Sequence, residues 1–193
     1  MPTPLITRLT HRLFGSPLLR NVIRGELVEE MVAQALEPDW ALCADDWGAC
    51  DLRQVANLTA VKRPLRIQVK QSAARQSWHA DDSPQPPSPQ PRPRFSIAHK
   101  TGRYEGQTWI AEPSRNAELF IFGWHPVTDA SADHRDADQW LFYVVPEPAL
   151  PPQKSISLFA LQRLASAVSC EGLGEAVRQC VKVHGDSYRM SDR

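Results

Sequence analysis

The sequence predicts a layered α/β domain, a central mixed β-sheet flanked by helices, and three observations predict it. A segment of helical period near the N-terminus is followed by three short strand-like runs. Two later runs, ELFIFGW (118–124) and QWLFYVV (139–145), are apolar on both faces, as central strands are. Two further helical segments then close the chain, a pattern of alternating elements that packs as helices on a sheet.

The elements follow in order. Ile6, Leu9 and Leu13 recur at helical spacing within a stretch that carries Arg8, Arg12, Arg20 and Arg24 and no acid. Residues 1–24 therefore read as a basic N-terminal arm or helix and not as a targeting peptide, since Ser is scarce and no apolar core precedes a cleavage pattern. Ser16 as N-cap with Pro17 at the first helical position predicts a helix running to about Leu36, ended by Pro38. Strand-like runs lie near Trp40 to Ala44, Asp51 to Ala56 and Leu65 to Val69. From Asp81 to Arg94 the chain reads DDSPQPPSPQPRPR, too rich in proline for helix or strand, and is expected to be an extended insertion within one domain spanning 16–193. After the two apolar strands, Ser157 precedes a helix to about Val168, and a last amphipathic helix is expected over Gly174 to Val183.

Composition bounds the function. Apolar residues make up 42% of the 193, enough for a full core, and the formal net charge is zero. Any nucleic-acid contact must come from local basic patches and not from the average field. The four cysteines, Cys43, Cys50, Cys170 and Cys180, form no Cys-x-x-Cys pair and read as ordinary reduced thiols of a cytoplasmic protein. No apolar run approaches the ~20 residues that span a bilayer, so no membrane partner is expected.

Four residues stand out. On a helical projection, Glu29 falls in the middle of an arc formed by Leu18, Val22, Gly25, Val32, Ala33 and Leu36. A carboxylate there should face the sheet and need a cation, because an unpaired buried charge costs several kcal/mol. Gly25, one turn earlier, should leave room beside it. In Leu65–Lys70, Gln68 and Lys70 project from the face opposite Ile67 and Val69, about 7 Å apart along the strand. An amide oxygen can ligate a hard cation, and an ammonium beside it can polarise a phosphate or position a water. Asp51 follows a turn and opens a strand, which puts a carboxylate at the sheet edge. Asp45 and Asp46, in the turn itself, read as turn formers.

The order Gly25-x-x-x-Glu29, Gly48-x-x-Asp51-Leu52 and Gln68-Val69-Lys70 resembles the PD-(D/E)XK nuclease superfamily, with its restriction-endonuclease-like helix, strand, strand core. The resemblance covers about Gly25 to Ser72. The Gln at 68 is similar to the variant found in restriction enzymes that cut modified DNA, and Glu29 is placed as in Holliday-junction resolvases. The resemblance implies Asp51 as the metal-bridging carboxylate, Gln68 as a neutral oxygen ligand, Glu29 as a further ligand, and Lys70 as the group that orients water or stabilises the phosphate. It implies Mg²⁺, with Mn²⁺ as a substitute, and DNA as the partner. One fewer negative charge at position 68 should weaken metal affinity.

Ser72 and Arg75, after the catalytic strand, and Lys100 and Arg103, beyond the insertion, are the expected nucleic-acid contacts. His79, His99 and His125 pair with nothing at ligand spacing and read as surface or structural. Trp124 and Trp140 read as core, and Trp47 and Trp78 as stacking candidates. The expected function is a metal-dependent DNA endonuclease, acting in phage defence or as part of a homodimer or larger complex. The alternative is a catalytically silent nuclease-fold module for nucleic-acid or protein binding, and a third reading is an unrelated α/β enzyme with a small-molecule pocket.

Overall fold

The computed structural model describes residues 4–43, 50–55, 64–79, 93–105 and 107–190. Two helices come first, α1 (Leu5–Phe14) and α2 (Asn21–Leu36). Three strands follow: β1 (Trp40–Leu42), β2 (Leu52–Gln54) and β3 (Arg66–Ala73). Then come β4 (Arg94–Ser96), β5 (Arg103–Glu105), β6 (Thr108–Ile110), β7 (Leu119–His125), β8 (Leu141–Pro146) and β9 (Ser155–Ser157). The chain closes with α3 (Leu158–Leu161) and α4 (Leu173–Met190). The central sheet has the order β1-β2-β3-β7-β8. Only β3 and β7 run parallel, so the sheet is mixed, as the sequence predicts.

Each face of this sheet carries its own core. Ile67 and Val69 of β3 pack with Val28, Val32 and Leu36 of α2 and with Leu173 and Val177 of α4. On the other face, Phe120 and Phe122 of β7 pack with Tyr143, with Phe95 and Ile156 from the β4–β9 ribbon, and with Leu161 of α3. α2 lies close over β7 because position 123 is glycine: a Cβ there would come within 3.2 Å of Val28 Cγ1. No helix among the described residues is long and apolar enough to cross a membrane.

Several expectations are corrected. α2 begins at Asn21 and not at Pro17; Ser16 instead accepts the Leu18 N–H in a local turn. The last residues of the basic arm therefore form the first turn of α2, while no residue of α1 is buried. The buried stripe of α2 is Arg24, Val28, Met31, Val32, Ala33 and Leu36. Val22 is exposed, and Glu29 sits on the flank of the stripe, half-buried. Parallel pairing with β7 carries β3 on to Ala73, so Ser72 lies within the strand. The helix after Ser157 is one turn long, capped by Ser157 Oγ, and Val168 is bridged to Phe142. Of the proline-rich stretch only Pro93 and Arg94 are described, and Arg94 opens β4; residues 81–92 lie outside the described residues.

Candidate metal centre

β2 begins only at Leu52, so beyond Ile67 the β2-side edge of β3 needs other partners. Asp51 supplies them. Its backbone N–H donates to Ile67 C=O (3.0 Å), and its Oδ2 accepts the Val69 N–H at 2.6 Å. The same oxygen accepts from Gln68 Nε2. Gln68 and Lys70 project together onto the face of the aromatic core, in register with Phe120 and Phe122, which is why Gln68 is 4% exposed. With Nε2 committed to Asp51, Gln68 Oε1 is buried and has no hydrogen-bond partner among the described residues. Reversing the amide would set its oxygen against the Asp51 carboxylate, so the network fixes which atom is left over. A buried acceptor without a donor costs about 1–3 kcal/mol.

Glu29 comes from α2, which packs on the opposite face of the sheet from Gln68 and Lys70, and it lies near enough to Asp51 and Lys70 to feel their charge. Burial pushes its carboxyl up to about 7, and the negative charges of Asp51 and Glu26 add to this, while Lys70 opposes it. Burial likewise lowers Lys70 below the usual lysine range; Asp51 and Glu29 oppose the shift and Lys100 adds to it. Glu29, Asp51 and Lys70 thus feel one another's charge. Glu29 and Lys70 form no ion pair with each other, and among the described residues no cluster of three His, Cys, Asp or Glu could hold a metal by itself. The donors shown side by side are the Asp51 carboxylate and the Gln68 amide, with Glu29 acting on Asp51 and Lys70 through its charge. The unpartnered Gln68 Oε1 beside Asp51 fits a hard divalent cation, which takes oxygen ligands.

Other predicted residues fall around this notch. Ser72 lies two residues beyond Lys70 on the same face of β3. Lys100 is exposed and close enough to act on Lys70. Arg75 is bound to Asp129 C=O at 2.7 Å, and Arg103 is paired with Glu112 at 2.7 Å. Arg66, on the face of Gln68, is tied down by Glu118 at 2.8 Å. Gly25 is not required for space, since a Cβ there would meet only Gln71 Nε2, at 3.9 Å. Trp78 is exposed and Trp140 is core, as expected, while Trp47 lies outside the described residues along with Asp45, Asp46 and Gly48. His99 is exposed, and His125 is structural.

Sequence reasoning missed a second polar cluster one turn up α2. Arg24, 2% exposed, donates to the side-chain oxygens of Gln71 (2.6 Å), Gln76 (2.8 Å) and Asn21 (2.8 Å). Burial among neutral acceptors lowers it to about 10. This knot ties the start of α2 to the end of β3. His134 adds a second tie: Nδ1 accepts the Leu19 N–H and Nε2 donates to Arg75 C=O, both at 3.0 Å. Position 24 falls four residues before Val28, which is the one signal that could have placed Arg24 in the buried stripe.

No family model matches the chain, and no curated protein does. Among solved structures, the bacterial homing endonuclease I-Ssp6803I aligns over 87% of this chain and 97% of its own, at 14% identity and a TM-score of 0.43. A likeness that loose says nothing about activity, and the fold stands on the chain's own topology.

Proposed function

We propose that the chain is a metal-dependent DNA endonuclease of the PD-(D/E)XK type. The observation that carries this reading is the buried, unpartnered Gln68 Oε1 beside the Asp51 carboxylate. Asp51, Gln68 and Glu29 would hold Mg²⁺ or Mn²⁺. The cation supplies charge neutralisation at the phosphodiester and acidification of a water. Lys70, in a site where burial strengthens its field, stabilises negative charge on the phosphate and orients the attacking water. Glu29, whose carboxyl is pushed up to about 7 without a cation, would give up its proton on binding one. Ser72, Arg75, Lys100 and Arg103 would contact the DNA backbone, with Arg103 exchanging Glu112 for a phosphate. Action in phage defence, as a homodimer or within a larger complex, belongs to the same proposal.

Nicking of supercoiled plasmid tests it. The wild-type chain should nick in Mg²⁺ and stop in chelator, and Asp51→Ala and Lys70→Ala should each abolish nicking while remaining folded. Full activity in both purified variants would sink the mechanism. A second reading, a catalytically silent nuclease-fold module, is favoured by Asp51 Oδ2, which already accepts two hydrogen bonds and so serves the fold. Absence of any Mg²⁺- or Mn²⁺-dependent stabilisation would select that module.

A further inference from the structure

We propose that Cys43 and Cys50 form a reversible dithiol–disulfide couple that fixes the segment carrying Asp51. Although no Cys-x-x-Cys spacing marks them, the fold brings their Sγ atoms to 3.1 Å, about 1 Å short of bonding distance. Both are free thiols, Cys50 buried and Cys43 partly accessible. Cys50 immediately precedes Asp51, and the Cys43 N–H donates to Asp51 C=O at 2.8 Å. The pair therefore holds Asp51 through its chain neighbour and across the strand pairing at once. Cys170 and Cys180 have no such arrangement; Cys170 lies against Met31 C=O.

The oxidant is a small-molecule disulfide such as glutathione disulfide. The accessible Cys43 sulfur, as thiolate, attacks one of its sulfurs, forming a mixed disulfide and releasing one glutathione. Cys50 sulfur then attacks Cys43 sulfur, forming the internal bond and releasing the second glutathione. The two protein protons end on two glutathione thiols, so the protein dithiol is oxidised by two electrons and glutathione disulfide is reduced by the same two. Closing this bond restrains the Asp51 carboxylate that caps the Val69 N–H. The effect on DNA cutting rests on the nuclease reading of Asp51, whereas the couple itself does not.

The full-length chain, first reduced, is equilibrated across glutathione redox ratios, alkylated and digested with trypsin. Residues 25–53 contain no Lys or Arg before Arg53, so both cysteines fall in one peptide. Oxidised protein should yield that peptide unalkylated and about 2 Da lighter, while Cys170 and Cys180 take label. Exchange of the Val69 amide, followed by NMR, should slow at least about tenfold on oxidation in wild type and stay unchanged in Cys43→Ser. A glutathione adduct without the internal bond, or Val69 exchange that is unaltered, faster, or equally slowed in Cys43→Ser, would overturn the proposal. If the couple forms and neither redox state nicks DNA, the nuclease reading falls and the couple stands; nicking without the couple gives the reverse.

Discussion

Two polar clusters are buried a few residues apart along β3, and they differ in how completely they are satisfied. Around Arg24, three amide oxygens receive the guanidinium donors, and the cluster ties α2 to the end of β3. Around Asp51, one carboxylate oxygen takes two donors while Gln68 Oε1 takes none. A buried polar network that closes on itself specifies structure, and one that stops an acceptor short has room for a ligand. His125 Nδ1 is the other unpartnered buried atom among the described residues. It is a ring nitrogen among aromatic edges, 5.0 Å from His134 and 5.1 Å from Trp140 between ring centres, and the Asp133 carboxylate that acts on this ring is already paired with Arg135 at 2.7 Å. On the proposed function, the Arg24 knot serves stability and the Asp51 notch serves chemistry.

Breaking the notch should have the largest effect. Asp51→Ala and Lys70→Ala should each lower Mg²⁺-dependent nicking by at least about a hundredfold, measured on supercoiled plasmid. Breaking the knot should do the opposite. Arg24→Met removes the donor from three amide oxygens, those of half-buried Gln71 and Gln76 and of exposed Asn21, and should cost about 1–3 kcal/mol in urea unfolding, while leaving the protein's response to Mn²⁺ in place. If Arg24→Met instead removed the cation response at unchanged stability, the division of labour between the clusters would be wrong.

Acid should reach the knot before the rest of the fold. Burial, with the charge of Arg24 adding, lowers His134 to about 4, and protonating Nδ1 would also set it against the Leu19 N–H. Its folded-state value lies below the unfolded value of about 6.5, so its contribution is full above that pH and lost as pH falls toward 4. His125 is shifted the same way by burial. Urea midpoints should therefore decline between pH 6.5 and 4, and a flat profile in that window would contradict neutral, buried imidazoles.

A carboxylate in place of the amide sharpens the notch. Gln68→Glu adds the missing negative charge, so Mn²⁺ affinity by calorimetry should rise about tenfold, with the cation-free protein less stable because two carboxylates then adjoin. Smallest of all, Gly25→Ala should stabilise α2 by up to about 1 kcal/mol, since the added methyl meets only ordinary contact. Gly123→Ala, pressed against Val28, should destabilise.

Much of the notch was legible because strand alternation is local. Ile67 and Val69 had to share one face, which set Gln68 and Lys70 on the other, and a turn before Asp51 placed it at an edge. The α2 projection was misleading for a physical reason. An exposed valine at 22 and a buried arginine at 24 invert the usual signals, so the apolar arc in projection centres on Glu29 whereas burial centres on Val28. Local pattern ends the strand before Ser72, and the extra length of β3 comes from pairing with β7, some fifty residues away. The β4–β9 ribbon and the contact between Cys43 and Cys50 depend on tertiary pairing in the same way.

The central claim is that Asp51 and Gln68 leave a cation site unfinished, and a Mn²⁺ titration followed by thermal unfolding tests it most directly. Wild type should gain stability saturably, by about 2.7 kcal/mol at a hundred times the dissociation constant, and Asp51→Ala and Gln68→Leu should gain none. A wild-type melting curve identical in Mn²⁺ and in chelator would contradict it.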